Sequence, residues 1–403
     1  MSVSWEHAYG ACEPAAAELL RAVSALGLTV VTSPGVGAAV DLTPSETAAA
    51  MAELVRSGWA EPAAGVGHHA VDERARGWLG THARVTPARA AVIIRRFAEY
   101  HTAALDLRRH DPADAGAWLA RHRAEVLAAV RACDHGGLRR TGTRLASAAW
   151  PFAGRVRDPD WWQGLADAGE ALAIAERDPS LLADLLHRSA ATFAGHDDRL
   201  RAEAQWVRAL AIIRRRDASA RVTPAERDRG AAVLTGMGAL YCGWGRLSKA
   251  LDAYLELAEL HRAAGDAAGV AEALTRVAAT MHLAGRLSSA SDQFAQADEA
   301  MAPVTGAGDA APGALTFHAR ILMWWGRALW EQGHHGAARR RWSRALAMLV
   351  DVDDAAADHV RALLATAQED PLPGGYPIPA PDDALRHDGG VSNTSSSSSG
   401  GKG

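Results

Sequence analysis

The chain has 403 residues, 48% of them hydrophobic and 22% charged, with a formal net charge of −4. That length exceeds one compact core and points to two domains and a tail, and the slight negative charge argues against a generally nucleic-acid-seeking protein. Cys12, Cys133 and Cys242 stand far apart, which excludes a disulfide framework and a cysteine zinc cluster and suits a reducing compartment.

Residues 5–28 carry Leu19, Leu20, Val23 and Leu26 on one helical face. After LTVVTSPGVGAAV a helix is predicted over Pro44–Arg56. Thr43 would cap it, Pro44 takes its first position, and Glu46 completes a capping box. Ala48, Met51, Ala52 and Val55 are its expected buried face. Gly58 stops it, Trp59–Pro62 leaves as a strand, and His68–Val71 returns into a helix over Asp72–His82. Helices followed by a two-stranded ribbon predict a winged-helix domain over residues 1–85. Gly35-Val36-Gly37 fits a connector better than a dinucleotide loop, because Val40 stands where a third glycine belongs.

A bridging helix is predicted over 86–112, with Val92, Ile93, Phe97, Tyr100 and Leu105 as its apolar stripe. From 113 to 370 the chain reads as helix pairs. Asp114–Cys133 and Leu138–Phe152 form the first, with Trp118, Leu119, Val126 and Leu127 as core candidates. Trp161-Trp162 opens the next helix, and Leu181–Ala194 pairs with Arg199–Arg214. A small–aromatic–small trio recurs: Ala202, Trp206 and Ala209; Ala250 and Tyr254; Ala290, Phe294 and Ala297; Ala338, Trp342 and Ala345. Its first members are spaced by 48, 40 and 48 residues, with turns predicted at Gly245-Arg246, Gly285-Arg286 and Gly333-His334. A small residue admits the facing helix and an aromatic fills the space beside it, so a fixed period of such trios marks a stacked helical repeat. Residues 371–403 are rich in Pro, Gly and Ser and are expected to be disordered.

These repeats resemble the tetratricopeptide repeat (TPR), with connections longer than its usual period of about 34 residues. The front segment carries Leu54-Val55-Arg56-Ser57-Gly58-Trp59 and then His69-Ala70-Val71-Asp72-Glu73-Arg74. It resembles the winged-helix segment of actinobacterial NB-ARC-type (STAND) regulators, which carry TPR arrays downstream. The predicted fold is therefore all-α, a TPR-like helical-repeat superhelix preceded by a small winged-helix domain. In that family the histidine corresponding to His69 is expected to sense nucleotide phosphates. This chain lacks the companion Gly-Lys-[Ser/Thr] loop, its lysines being Lys249 and Lys402. The NTPase domain is absent, and an NB-ARC ATPase would have to lie upstream or be a separate protein.

No catalytic, cofactor-binding or metal-binding residue is assigned. The pairs His68-His69 and His334-His335 point apart and have no HExxH or Cys-x-x-Cys beside them, and no nucleophile elbow occurs. The implied function is a non-enzymatic scaffold for protein–protein recognition in a bacterial regulatory system, transcriptional or signalling. A peptide or protein would lie in the repeat groove around Tyr241–Ala290, where Thr235, Ala239, Thr275, Arg276 and Ala279 are expected off the packing seam. Thr235, Thr275 and Arg276 are the partner-binding candidates. The alternative is a DNA-binding regulator acting through the winged helix. Residues 1–80 carry four arginines against nine acids, a poor balance for holding phosphates. Twelve arginines against six acids in residues 81–145 suit solvated faces or an acidic partner. Trp161-Trp162 and Trp324-Trp325 cannot both face one seam, which offers interaction hot spots. No signal peptide or bilayer-spanning stretch is legible, so a cytoplasmic location is expected.

Overall fold

The structure is a computed structural model that describes residues 5–65, 67–82, 85–135, 137–217, 223–306 and 310–366. The segment expected to be a disordered tail, 371–403, lies outside these. Two compact units divide between Ala220 and Arg221.

The first unit opens with α1 (Trp5–Gly10), α2 (Pro14–Leu26), β1 (Val30–Thr32), α3 (Ser33–Val40), α4 (Pro44–Arg56), β2 (Ala60–Pro62), β3 (His68–Val71) and α5 (Glu73–His82). The strands form one antiparallel sheet in the order β1-β3-β2, with Val31 opposite His69 and Glu61 opposite Ala70. The ribbon read from the sequence thus has a third strand along β3. Trp59 is fully buried, with Trp5 at 4.7 Å and Trp78 at 5.9 Å between ring centroids, so α1 and α5 close over the ribbon.

Helix α4 begins with the expected capping box: the Glu46 N–H donates to Thr43 Oγ1 at 3.3 Å and the Thr43 N–H to Glu46 Oε2 at 2.8 Å. Its buried face is Thr47, Ala50, Met51 and Leu54. Ala48 and Ala52 are exposed and Val55 is only half-buried. Gly37 accounts for this rotation. It belongs to helix α3, and a Cβ there would stand 2.2 Å from Thr47 Oγ1, so Thr47 fills the notch and turns that edge inward.

The front module packs onto α6 (Pro87–Leu107) and α7 (Pro112–His135) through α2, α3 and β1. Ile93, Phe97 and Leu105 are buried as expected, while Val92 is exposed and Tyr100 half-buried. There follow α8 (Arg139–Ala153), α9 (Pro159–Glu176), α10 (Pro179–Gly195) and α11 (Arg199–Asp217). Both members of the Trp161-Trp162 doublet are buried, which corrects the hot-spot expectation. Helix α9 has seams on more than one side, against α7, α8 and α10. The Trp161 indole N–H donates to the Arg123 carbonyl at 2.6 Å and that of Trp162 to the Ala153 carbonyl at 2.9 Å.

The second unit contains α12 (Pro224–Gly243), α13 (Leu247–Ala264), α14 (Ala267–Leu283), α15 (Leu287–Thr305), α16 (Pro312–Glu331), α17 (His335–Leu349) and α18 (Asp354–Thr366), each packed on the next. Its turns fall where the sequence placed them. Gly245, Gly285 and Gly333 have φ of 73°, 71° and 81°, a region costly for residues with a Cβ. The N–H of the residue after each glycine reaches back into the helix just ended, as Arg246 does to the Tyr241 carbonyl at 2.8 Å. A small residue precedes each second-helix aromatic by the same interval: Gly238 before Tyr254, Ala278 before Phe294 and Gly326 before Trp342, all buried. A Cβ on Gly238 would lie 2.3 Å from the Tyr254 ring, and one on Gly326 2.3 Å from that of Trp342. This repeated contact is the physical content of the TPR-like pattern. Trp324 and Trp325 are buried as well, and Arg341 stacks 3.6 Å from the Trp325 ring.

Candidate functional site

The first helices of the repeat pairs, α12, α14 and α16, are tied to one another by side chains. Cys242 Sγ lies 3.5 Å from Thr280 Oγ1, and His282 Nε2 lies 3.3 Å from Glu331 Oε2, which also receives Arg327 Nε at 2.6 Å through its other oxygen. Arg276, one helical turn before Thr280, donates through Nη1 to Glu272 Oε1 at 2.6 Å within its own helix. Helix α14 is buried continuously from Ala273 to Thr280 because α13 and α15 both pack on it. The expectation that Thr275, Arg276 and Ala279 stand off the packing seam is therefore corrected.

Thr275 is 1% exposed and its hydroxyl donates to the Ala271 carbonyl at 2.6 Å, so its polar group is committed to its own helix. Thr235 is half-buried on α12. Arg276 is 8% exposed, its Nε is buried without a partner, and Glu272, half out in solvent, carries the pair to the surface. An arginine fork bonded at one nitrogen retains donors for a second carboxylate.

A second polar row ties α15, α16 and α17. Asp298 accepts from His318 Nε2 at 2.5 Å and from Arg344 Nη1 at 2.8 Å, and His318 Nδ1 lies 2.7 Å from Thr305 Oγ1. Burial opposes ionisation of Asp298, but the hydrogen bonds from His318 and Arg344 outweigh it and hold the carboxyl below its ordinary value. The order Thr–His–Asp invites comparison with a nucleophile relay. Yet His318 is fully buried and the Thr305 hydroxyl donates to the Met301 carbonyl at 3.1 Å, so the row ties helices together.

Of the arginine-rich segment, Arg95, Arg139 and Arg140 converge with Arg177 on an open cleft of the first unit, where Glu99, Glu176 and Asp178 balance them. His69 Nδ1 lies 3.4 Å from Ser33 Oγ, and His335 stacks on Trp330 at 4.1 Å.

The structure also assembles a cluster the sequence reading passed over. Glu125 of α7, 3% exposed, accepts from the Thr32 backbone N–H at 2.5 Å and from Thr32 Oγ1 at 3.0 Å, and lies 3.0 Å from His122 Nδ1. His101 of α6 is fully buried 3.8 Å from Glu125 Oε2, and neither of its ring nitrogens has a hydrogen-bond partner. A buried polar group left so costs roughly 1–3 kcal/mol. Burial pushes the His101 imidazole down to about 4 despite the neighbouring carboxylate. Burial also opposes the charge on Glu125, but the His122 and Thr32 contacts win and keep its carboxyl below the usual range. Among the described residues, these three bring metal-ligating atoms within 4.8 Å of one another. Two signals were available: His122 and Glu125 are spaced to share a helix face, and His101 falls four residues after Phe97 within an apolar stripe.

No family model and no curated protein matches the chain. Among solved structures, a signal transduction ATPase with numerous domains (STAND) that has a tetratricopeptide repeat sensor, from Pyrococcus horikoshii, aligns over 91% of this chain at 12% identity and a TM-score of 0.40. The alignment covers 56% of that protein, so this chain spans little more than half its length. A circular tandem repeat protein with a novel repeat topology aligns over 83% of this chain and 80% of its own, at 12% identity and a TM-score of 0.24. No helix among the described residues is long and apolar enough to cross a membrane.

Proposed function

We propose that the chain is a non-enzymatic, cytoplasmic scaffold of a bacterial regulatory system. In this reading the first-helix face of its second unit receives an acidic segment of a protein partner. The observation that carries it is the set of side-chain links from α12 to α16, Cys242 with Thr280 and His282 with Glu331, one helical turn from the nearly buried guanidinium of Arg276, which is bonded through one nitrogen to Glu272. Helical repeats present such rows as extended recognition surfaces. The strand order β1-β3-β2 with α3 and α4 ahead of the ribbon supports a winged-helix reading of residues 5–82. Its helix α4 exposes Ser45, Glu46, Ala48, Ala49 and Ala52 with one basic residue, Arg56, a surface suited to packing against protein rather than to base edges or phosphates. By the NB-ARC resemblance, nucleotide chemistry would belong to an ATPase upstream or on a separate chain.

The test is an array of Asp/Glu-rich peptides probed with the full chain and with Arg276→Met, which keeps an apolar stem in the packed position. A charge-assisted contact is worth about 1.5–3 kcal/mol, so affinity for retained peptides should fall roughly 10- to 100-fold, with little change in the thermal melt. Salt-dependent binding to duplex DNA, unaffected by Arg276→Met, would transfer the function to the front module.

A further inference from the structure

We infer that His101, His122 and Glu125 form a binding site for one divalent transition cation of the zinc class, which clasps α6 and α7 beneath the front module. The donor set is two imidazoles and a carboxylate, a combination that suits zinc, whereas magnesium and calcium favour all-oxygen shells. Geometry agrees. Ligand atoms around a tetrahedral zinc at about 2.0–2.1 Å stand about 3.3 Å apart. Glu125 Oε2 lies 3.0 Å from His122 Nδ1 and 3.8 Å from His101 Nε2, on either side of that edge, and all three ligand atoms lie within 4.8 Å of one another, so the imidazoles would draw together on the ion. His122 would offer Nδ1 and carry its proton on Nε2, and three protein ligands leave one position for water.

An independent observation points the same way. Both His101 ring nitrogens are buried and unbonded, and Nε2 faces the carboxylate from beyond hydrogen-bond reach. A cation between them would satisfy a nitrogen that protein groups do not. The surroundings hold the ligands in place. The Thr32 N–H and hydroxyl orient Glu125, Trp118 stacks on His122 at 4.3 Å, and the Phe97 ring lies edge-on to His101 at 4.5 Å. Outer contacts of this kind fix ligand orientation in metal sites.

The experiment uses the full chain, stripped with a chelator and dialysed, then titrated with zinc chloride by calorimetry and with cobalt(II) by visible absorption. One equivalent of zinc, a tetrahedral cobalt spectrum and a zinc-dependent rise in melting temperature are expected. His122 is partly exposed, so His122→Ala should fold and should bind zinc at least about 100-fold more weakly, the upper end of losses seen for orienting groups alone. His334→Ala should bind like wild type. Absence of stoichiometric zinc binding would overturn the site, as would unchanged affinity in His122→Ala. Displacement of zinc by equimolar magnesium would overturn the choice of cation.

Discussion

Gly238→Ala isolates the contact on which the repeat packing rests. The added Cβ would stand 2.3 Å from Tyr254 Cε1 and 2.4 Å from Cζ, about 1 Å short of ordinary van der Waals contact. Tyr254 is fully buried, so its ring has no free direction in which to move. Overpacking of this kind costs about 1–3 kcal/mol, while replacing glycine by alanine inside a helix returns about 0.8–1.0 kcal/mol. A net loss of up to about 2 kcal/mol should lower the melting temperature by up to roughly 8 °C for a unit of this size. Gly243→Ala, at the end of the same helix, meets nothing within 4 Å, so it should melt at or slightly above wild type. Circular dichroism melts of the full chain read both. If Gly238→Ala melts no lower than Gly243→Ala, the aromatic does not lock the pair, and the inference from small–aromatic spacing to packing fails.

The Asp298 row makes a prediction about acid. Its folded carboxyl titrates below its unfolded value of about 4, so the stability it contributes is present above that value and is lost as pH falls through the folded one. Asp298→Asn should therefore flatten the acid limb of melting temperature against pH between about 5 and 3, and parallel limbs would refute the assignment. A fragment of residues 223–366 should give a cooperative helical melt by itself, because those helices form their own compact unit. A chain begun at residue 113, at the boundary the sequence suggests, leaves buried Glu125 without Thr32. Its α7–α11 segment should melt below that of the full chain, and equal melts would show that the front module contributes no support.

Local chemistry made part of this fold legible. The Thr43–Glu46 capping box, the turn glycines and the small–aromatic trios each involve residues within a turn or a helix pair of one another, and each is found where the pattern placed it. Burial that depends on a third element was not legible. One helical wheel assigns one inward face, but α9 and α14 have neighbours on more than one side, so both Trp161 and Trp162 go inside and Thr275 follows. The turn of α4 toward Thr47 required knowing that Gly37 would sit against it.

Distance along the chain explains why the histidine–glutamate cluster escaped while the repeats did not. His122 and Glu125 are local, but a carboxylate one helical turn from a histidine reads as an ordinary surface pair until its surroundings are known. What removes it from the surface is Thr32, 93 residues earlier, together with His101 from the preceding helix. Spacing alone could not predict that β1 would lie against α7. Distance along the chain also separates the two proposed sites. Arg276 was found from its chemistry, and solenoid stacking then buried its stem, leaving Glu272 as the route by which its charge reaches solvent. The cluster at Glu125 exists only because two parts of the chain meet. Loss of the front module, which removes the Thr32 contacts to Glu125, should therefore weaken zinc binding and leave recognition of acidic peptides at Arg276 intact.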